Sequence, residues 1–365
     1  MSHATRKNIG VIGLGIIGRG IAGNLRRKGF PVYVWNRSPR SVPNFVGSPG
    51  EIAEICNYIQ IFVSDDEALL QTAEQLSGKL APHHLILAHS TVAPDSMRAA
   101  AEIVERRKGR FVEAPFTGSK GAAEKGELVY YASGKDAALR EARPILEASS
   151  KEIIEIGPTI GQASAIKIAT NMITAASIQA TAEALAVVQA SGLPLEKFVE
   201  AMRSNASHST TLAMKLPKML NRDFEPHFSV KHMLKDMQIA NQIGLSNYLD
   251  LGVTAAARDQ LLEQMHWGHG DDDYSVVARK YLHEPAPVAG EELPLDEQEE
   301  QTGAGESIAS SAEAETQSQQ DATPEVSPAP LIASGAASNA ARNETTPLRR
   351  SFLKQLLSRL SSGEE

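Results

Sequence analysis

Cysteine is almost absent from this chain of 365 residues: Cys56 stands alone. That excludes an intramolecular disulfide framework and suits a reducing compartment. No apolar run approaches the roughly 20 residues needed to span a bilayer. The stretch Met1 to Lys7 is too short and too polar for a secretory signal, so a cytoplasmic location is expected. No Cys/His cluster has metal-ligand spacing, and no metal site is expected. His266 and His269 beside Asp271–Asp273 come nearest to one, and they read as a solvated loop. Nothing in the chain demands nucleic acid. The length leaves room for two domains and a tail.

Charge is unevenly spread. Residues 285–345 hold twelve acidic side chains against Arg342 alone, a net of −11, whereas the whole chain is −8. The remainder therefore carries +3. This segment is rich in Pro, Ala, Ser and Gln and poor in large apolar residues. It cannot offset its chain entropy by burial and is expected to be a disordered acidic linker. Beyond it, residues 346–365 change character. Phe352, Leu353, Leu356, Leu357 and Leu360 recur at helical spacing, with Arg349, Arg350, Lys354 and Arg359 outside that stripe. Pro347 suits a helix start. A short cationic amphipathic helix of this kind, over 346–362, could dock on a protein groove, on this chain's own surface or on an anionic membrane surface.

Near the other end lies the string Gly13-Leu14-Gly15-Ile16-Ile17-Gly18. A GxGxxG string is weak evidence without its setting. Here Asn8–Ile12 precedes it as a strand-like run, Ile21–Lys28 follows as a helix ending at Gly29, and Val32–Trp35 comes next as a strand. Glycines there permit a tight turn and let backbone N–H groups reach a pyrophosphate at a helix N-terminus. After the second strand stands Asn36-Arg37-Ser38, with no acidic residue to accept ribose hydroxyls. A guanidinium can grip a 2′-phosphate, which favours NADP(H) while leaving NAD open. Further strand-like runs at 58–63, 84–88, 111–114 and 129–132 extend a doubly wound sheet. Two of them close on Ser64-Asp65 and Ser90-Thr91, at the strand ends where ligands bind in open parallel sheets.

From about Gly161 the pattern turns helical. Ala165–Ala190 is one long alanine-rich segment, and shorter helices are expected near 194–203, 210–221, 231–243 and 253–265. The long segment carries Lys167, with Asn171 one turn on and on the same face. On spacing alone Lys167 reads as a lysine snorkelling from the edge of a packed helix. The rival reading, second to it on spacing, is a general acid desolvated by Ile166, Ile168 and Ala169.

Four separated blocks lift the second reading. They are the fingerprint with Ala22-Gly23-Asn24-Leu25 behind it; Glu113-Ala114-Pro115-Phe116-Thr117-Gly118-Ser119; the Lys167 and Asn171 segment; and Lys235-Asp236. Together they resemble the β-hydroxyacid dehydrogenase family over residues 7–284. Ser119-Lys120 with Ala123–Leu128, and Asn36-Arg37, are most similar to its glyoxylate/succinic semialdehyde reductase branch. The resemblance implies an N-terminal Rossmann domain (1–160), an all-α substrate and oligomerisation domain (161–284), and a homo-oligomer. It implies Lys167 and Asn171 as catalytic, and Thr117, Gly118, Ser119 and Asp236 as substrate-binding. Cofactor contacts would come from residues 13–18 and 36–38, with Val63, Ser64, Thr91 and Lys235. Without the resemblance, Thr117-Gly118-Ser119 is an ordinary polar turn. His89 replaces the usual Asp and reads as a locally bonded structural residue. Phe116 replaces a smaller residue, Ala163 a glycine, and Met172 a second Asn.

The expectation is thus an NADPH-dependent reductase of a small carboxylate-bearing aldehyde, with Lys167 as proton donor. Two alternatives stay open: an NAD(P)-dependent 3-hydroxy acid dehydrogenase, and a dinucleotide-binding scaffold that recruits a partner through its tail.

Overall fold

The computed structural model describes residues 8–282. The acidic segment 285–345 and the amphipathic segment 346–365, with their expected linker and docking helix, lie outside the described residues.

Eight strands form one sheet: β1 (Ile9–Ile12), β2 (Val32–Trp35), β3 (Tyr58–Ile61), β4 (Leu85–Ala88), β5 (Arg110–Glu113), β6 (Phe116–Thr117), β7 (Leu128–Gly134) and β8 (Ser150–Gly157). Their spatial order is β2-β1-β3-β4-β5-β7-β6, with β8 also paired to β7. The first five strands are parallel; β7 runs antiparallel to β5 and β6. The connecting helices are α1 (Ile16–Arg27), α2 (Pro49–Ile55), α3 (Asp66–Ser77), α4 (Pro94–Arg106), α5 (Lys120–Lys125) and α6 (Asp136–Leu146). Strands covered on both faces must be apolar throughout, and β1 and β4 are buried at every position. One face gathers Ile9, Val11, Leu85 and Leu87 with α1 and α6; the other gathers Ile12, Ile59, Ile61 and Ile86 with α2, α3 and α4. Strand order reverses at β1, between β2 and β3, and the crevice above that point is where such sheets bind ligands.

The doubly wound half followed by helices agrees with the sequence reading. The start of α1 does not. It begins at Ile16 rather than Ile21, so the second half of the glycine string is already its first turn. Low helix propensity of glycine concealed this from the pattern. The glycines answer to close contacts instead. Gly13 has φ +94°, and a Cβ there would lie 1.9 Å from the Phe62 carbonyl oxygen. At Gly18 a Cβ would lie 2.0 Å from the Gly13 carbonyl oxygen. β8, on the edge of β7, was unforeseen, as were the two-residue β6 and helices α2, α3, α4 and α6.

Gly161 turns the chain into α7 (Gln162–Ala190), which at about 1.5 Å per residue is roughly 43 Å long. Four shorter helices follow: α8 (Leu195–Arg203), α9 (Thr210–Leu220), α10 (Val230–Ser246) and α11 (Gly252–His266), then a 3-10 helix at Tyr274–Lys280. Their core is built on Ile178, Ala182 and Leu185 of α7, with Leu216, Met233, Met237 and Leu261 from its neighbours. A smaller cluster of Ile168, Ile239 and Ala240 packs against Ala93 of the sheet half.

The start of α7 is anchored by a residue the sequence did not single out. Glu113, at the end of β5 and fully buried, accepts hydrogen bonds from Gly161 N (2.7 Å), Ala163 N (2.8 Å) and Ser164 Oγ (2.8 Å). A carboxylate there satisfies orphan donors of the first turn and complements the helix dipole. Replacing Gly18 by Ala should force the fingerprint turn off the helix and cost about 1–3 kcal/mol; chemical denaturation of the purified variant measures it.

Candidate active site

A cleft of about 430 Å³ opens at the switch point. Its floor comes from the fingerprint (Gly15, Ile16, Ile17, Gly18) and from the ends of β3 and β4 (Phe62, Val63, Ser64, His89, Ser90, Thr91). Its far wall comes from Pro226 to Ser229 and from Lys231, His232, Lys235 and Asp236 on α10. Two loops of the floor are tied together by Ser90 Oγ, which accepts from Val63 N at 3.0 Å.

The fingerprint fits a dinucleotide. Gly15 caps α1 without any side-chain cap, and a Cβ at Gly15 would meet nothing within 4 Å. Open space therefore lies beside uncapped N–H groups at a helix N-terminus, which is what a pyrophosphate needs. Leu14 N donates to Asn36 Oδ1 at 2.8 Å, and Asn36 Nδ2 donates to the Ser38 carbonyl at 2.8 Å. Asn36 thus spends its side chain joining the fingerprint to the loop after β2. Arg37 and Ser38 are exposed in that loop, and none of the three is among the residues lining the cleft.

The expected reactive groups form a hydrogen-bonded chain that reaches the cleft at Asp236 and Lys235, which line it; Lys167 and Asn171 are not among the lining residues. Lys167 Nζ donates to Asn171 Oδ1 (3.0 Å), and Asn171 Nδ2 donates to Asp236 Oδ2 (2.6 Å). Lys235 Nζ donates to Asp236 Oδ1 (2.8 Å) and to the Thr91 carbonyl. Asn171 alone can do this job, because one amide presents an acceptor to the ammonium and a donor to the carboxylate. The chain runs from α7 through α10 to the end of β4, so both halves of the protein hold it.

Lys167 is half-buried. Burial pushes its pKa down to about 8; the Asp236 carboxylate opposes the shift and the Lys235 ammonium adds to it. Of the three apolar neighbours expected to surround it, only Ile168 is buried, packed against Ile239 and Ala240 of α10 and Ala93. Ile166 is 40% exposed and Ala169 is exposed, because residues beside a helical lysine point to other faces.

Other expected residues stand apart. Thr117 and Gly118 are exposed, Ser119 is half-buried, and none of the three lines the cleft, whereas Phe116 does. Gly118 has φ +137°, a backbone conformation that L side chains rarely adopt, so the turn is enough to require glycine. His89 is buried; its Nδ1 lies 2.8 Å from the Ala114 carbonyl and its ring stacks on Phe62 at 4.4 Å. A carbonyl only accepts, so that nitrogen carries the proton. Burial lowers the His89 pKa to about 4 and keeps it neutral. Cys56 is buried, its thiol pushed up to about 12, and it is no nucleophile. His208 lies in a separate groove beside α8 and α9, and Ser209 caps α9. Among the described residues no cluster of His, Cys, Asp or Glu could hold a metal ion; His269 Nδ1 pairs with Asp272 at 2.9 Å.

Comparison with known proteins agrees with this geometry. Residues 8–157 match the family model for the NAD-binding domain of 6-phosphogluconate dehydrogenase. Residues 161–281 match that for the NAD-binding domain of NADP-dependent 3-hydroxyisobutyrate dehydrogenase. Glyoxylate/succinic semialdehyde reductase 1 of Arabidopsis thaliana is 30% identical over 279 residues, 74% of this chain and 96% of that protein. Cytokine-like nuclear factor N-PAC of Danio rerio is 29% identical over 289 residues, 76% of this chain and 63% of that protein. In fold, the chain resembles 3-hydroxyisobutyrate dehydrogenase from Salmonella typhimurium with a TM-score of 0.69 at 22% identity, over 75% of this chain and 100% of that one. Fold and site thus define an NAD(P)-dependent oxidoreductase of the hydroxyacid dehydrogenase kind. The chain belongs to the β-hydroxyacid dehydrogenase family.

The Lys167 site sets function against stability. A pKa brought down to about 8 means that the surroundings disfavour the ammonium by a net of about 3 kcal/mol. Its hydrogen bond to Asn171 returns only about 1.5–3 kcal/mol. Lys167→Met should therefore leave the melting temperature unchanged or raise it, as thermal unfolding would show.

Proposed function

We propose that the protein is a reductase of a small carboxylate-bearing aldehyde, with glyoxylate and succinic semialdehyde as lead substrates and NADPH as the preferred cofactor. The observation that carries this reading is the hydrogen-bonded chain from Lys167 through Asn171 to Asp236, with the lysine's pKa lowered by burial. Bound NADPH would supply the hydride. As negative charge grows on the carbonyl oxygen, Lys167 stabilises it and gives up a proton from Nζ. Asn171 holds the ammonium in place, and Asp236 fixes the orientation of that amide. Lys235 is held between Asp236 and the Thr91 carbonyl, where it positions the cofactor side of the cleft. The name of the Arabidopsis relative supports this substrate class. Arg37, exposed after β2 where the sequence Asn36-Arg37-Ser38 has no acidic residue, supports the choice of NADPH.

Two further readings have observations behind them. The same residues run in reverse would oxidise a 3-hydroxy acid, with neutral Lys167 as base. Similarity to a protein named as a nuclear factor favours recruitment of a partner as an added or alternative role. We also propose self-association through the helical half, where Ile173, Val187, Leu245 and Tyr248 are 66–98% exposed.

The decisive assay follows NADPH oxidation with glyoxylate, succinic semialdehyde, tartronate semialdehyde and methylmalonate semialdehyde. One of them should be turned over, and Lys167→Ala should lower kcat by about 10²–10⁴-fold. Tight NADPH binding without turnover of any aldehyde would transfer the case to the recruitment reading. The protonated lysine is the donor, so the reductive rate should be full below pH 8 and fall as pH rises through about 8. In the same assay, Arg37→Ala should weaken NADPH by about tenfold or more, one charge-assisted contact, and leave NADH use unchanged.

A further inference from the structure

The far wall of the cleft has little regular structure of its own. Residues 223–228 belong to no helix or strand, yet Pro226, His227 and Phe228 face the dinucleotide fingerprint. What fixes them lies behind the wall. Asp273, 0% exposed, accepts from His227 N at 3.0 Å and Phe228 N at 3.3 Å through Oδ2, and from Ser275 N at 3.1 Å and Ser275 Oγ at 2.7 Å through Oδ1. Lys215 of α9, 2% exposed, donates to both carboxylate oxygens at 2.6 Å. The backbone around this carboxylate completes the attachment. Asp273 N donates to the Phe224 carbonyl at 2.8 Å, and Tyr274 N to the Phe228 carbonyl at 3.0 Å.

We propose that the buried Lys215–Asp273 pair is a positioning device for this wall, holding the His227–Phe228 backbone at a set distance from the fingerprint and so setting the width of the cleft. Stability alone is a poor account of the pair. Buried ion pairs are often matched or surpassed by apolar residues of similar volume. Six contacts from three segments are something that no apolar residue supplies. Nor would asparagine: its one oxygen has two lone pairs, and its amino group would turn donor against donor toward the lysine or the amides. Lys215 has a second hold on the wall. Its ammonium lies 4.6 Å from the centroid of Tyr274, and Tyr274 meets the Phe228 ring edge-on at 6.1 Å. The ammonium thus orients the carboxylate from one side and backs the aromatic packing from the other.

The inference rests on the proposed reductase reading only where turnover is measured, so its first test uses none. Hydrogen exchange on the full-length wild-type protein should show the His227 and Phe228 amides exchanging as slowly as those of α10. Rapid exchange there would overturn the proposal without any variant. Next come Asp273→Asn and the double variant Lys215→Met/Asp273→Asn, which leaves no uncompensated buried charge. NADPH affinity by fluorescence, aldehyde KM and kcat, and melting temperature are measured on each. Asp273→Asn should melt well below the wild type. The double variant should regain most of that loss and still show fast exchange at 227–228, with NADPH affinity or aldehyde KM worse by tenfold or more and kcat within about threefold. If the double variant recovers ligand affinity, KM and slow exchange along with stability, the pair is merely structural and the proposal falls. If wild type turns over no aldehyde, the reductase reading fails, while exchange and NADPH affinity still decide this one.

Discussion

The active arrangement depends on one constraint: α7 is locked to the sheet by Glu113. That carboxylate sits at the C-terminal end of β5 and takes three hydrogen bonds from the first turn of the helix. Lys167 lies little more than a turn further along. A rigid helix transmits the position of its first turn, so the height of Lys167 above the sheet is set at Glu113. Burial pushes the Glu113 pKa up, and the hydrogen bonds from Ser164, Ala163 and Gly161 oppose that shift. The anchor is thus a charge held out of water by donors that would otherwise be orphans.

A second constraint acts at Asp236. Asp236 is fully buried and joins Asn171 to Lys235, and Lys235 in turn reaches the Thr91 carbonyl. One carboxylate on α10 thereby holds together the catalytic helix and the end of a sheet strand. Charges in such a place act strongly on one another because little water screens them. The nearby ammonium of Lys235 helps keep Lys167 from becoming an ordinary, fully charged lysine. A lysine near its own pKa at working pH can both give and take a proton, which suits a reversible carbonyl–alcohol reaction.

The two buried carboxylates of the helical half do different work. Asp236 faces the cleft and orients groups within it, whereas Asp273 sits behind the wall and orients backbone. Asp236 takes one bond from α7 and one from its own helix, whereas Asp273 is surrounded by more donors than an amide could satisfy. Asp273 marks a place where the chain must hold a non-repetitive segment steady without a strand or helix to do so.

Much of this was legible in the sequence, for reasons of local chemistry. The glycine string announced a turn approached closely by backbone, and the apolar strand runs announced a sheet covered on both faces. Lys167 and Asn171 shared a helical face by spacing alone. Other features were not legible. The first turn of α1 was hidden by glycines whose presence reflects contact with Phe62 and with Gly13 itself. The resemblance implied that Thr117-Gly118-Ser119 binds substrate, yet it is Phe116 that lines the cleft. Ile166 and Ala169 looked like the apolar surroundings of Lys167 and proved to lie on exposed faces. Asp273 and Lys215 carried no signal, and Glu113 stood in a resembling block without a role of its own, since a charged residue reads as solvated until its partners are known. The sequence by itself determined which segments become strands and helices and which residue types are available for chemistry, because those follow from periodicity and short-range sterics. Only the tertiary structure decided which groups lose their water and which charges meet, because pKa and hydrogen-bond partner are properties of neighbours brought together from distant parts of the chain.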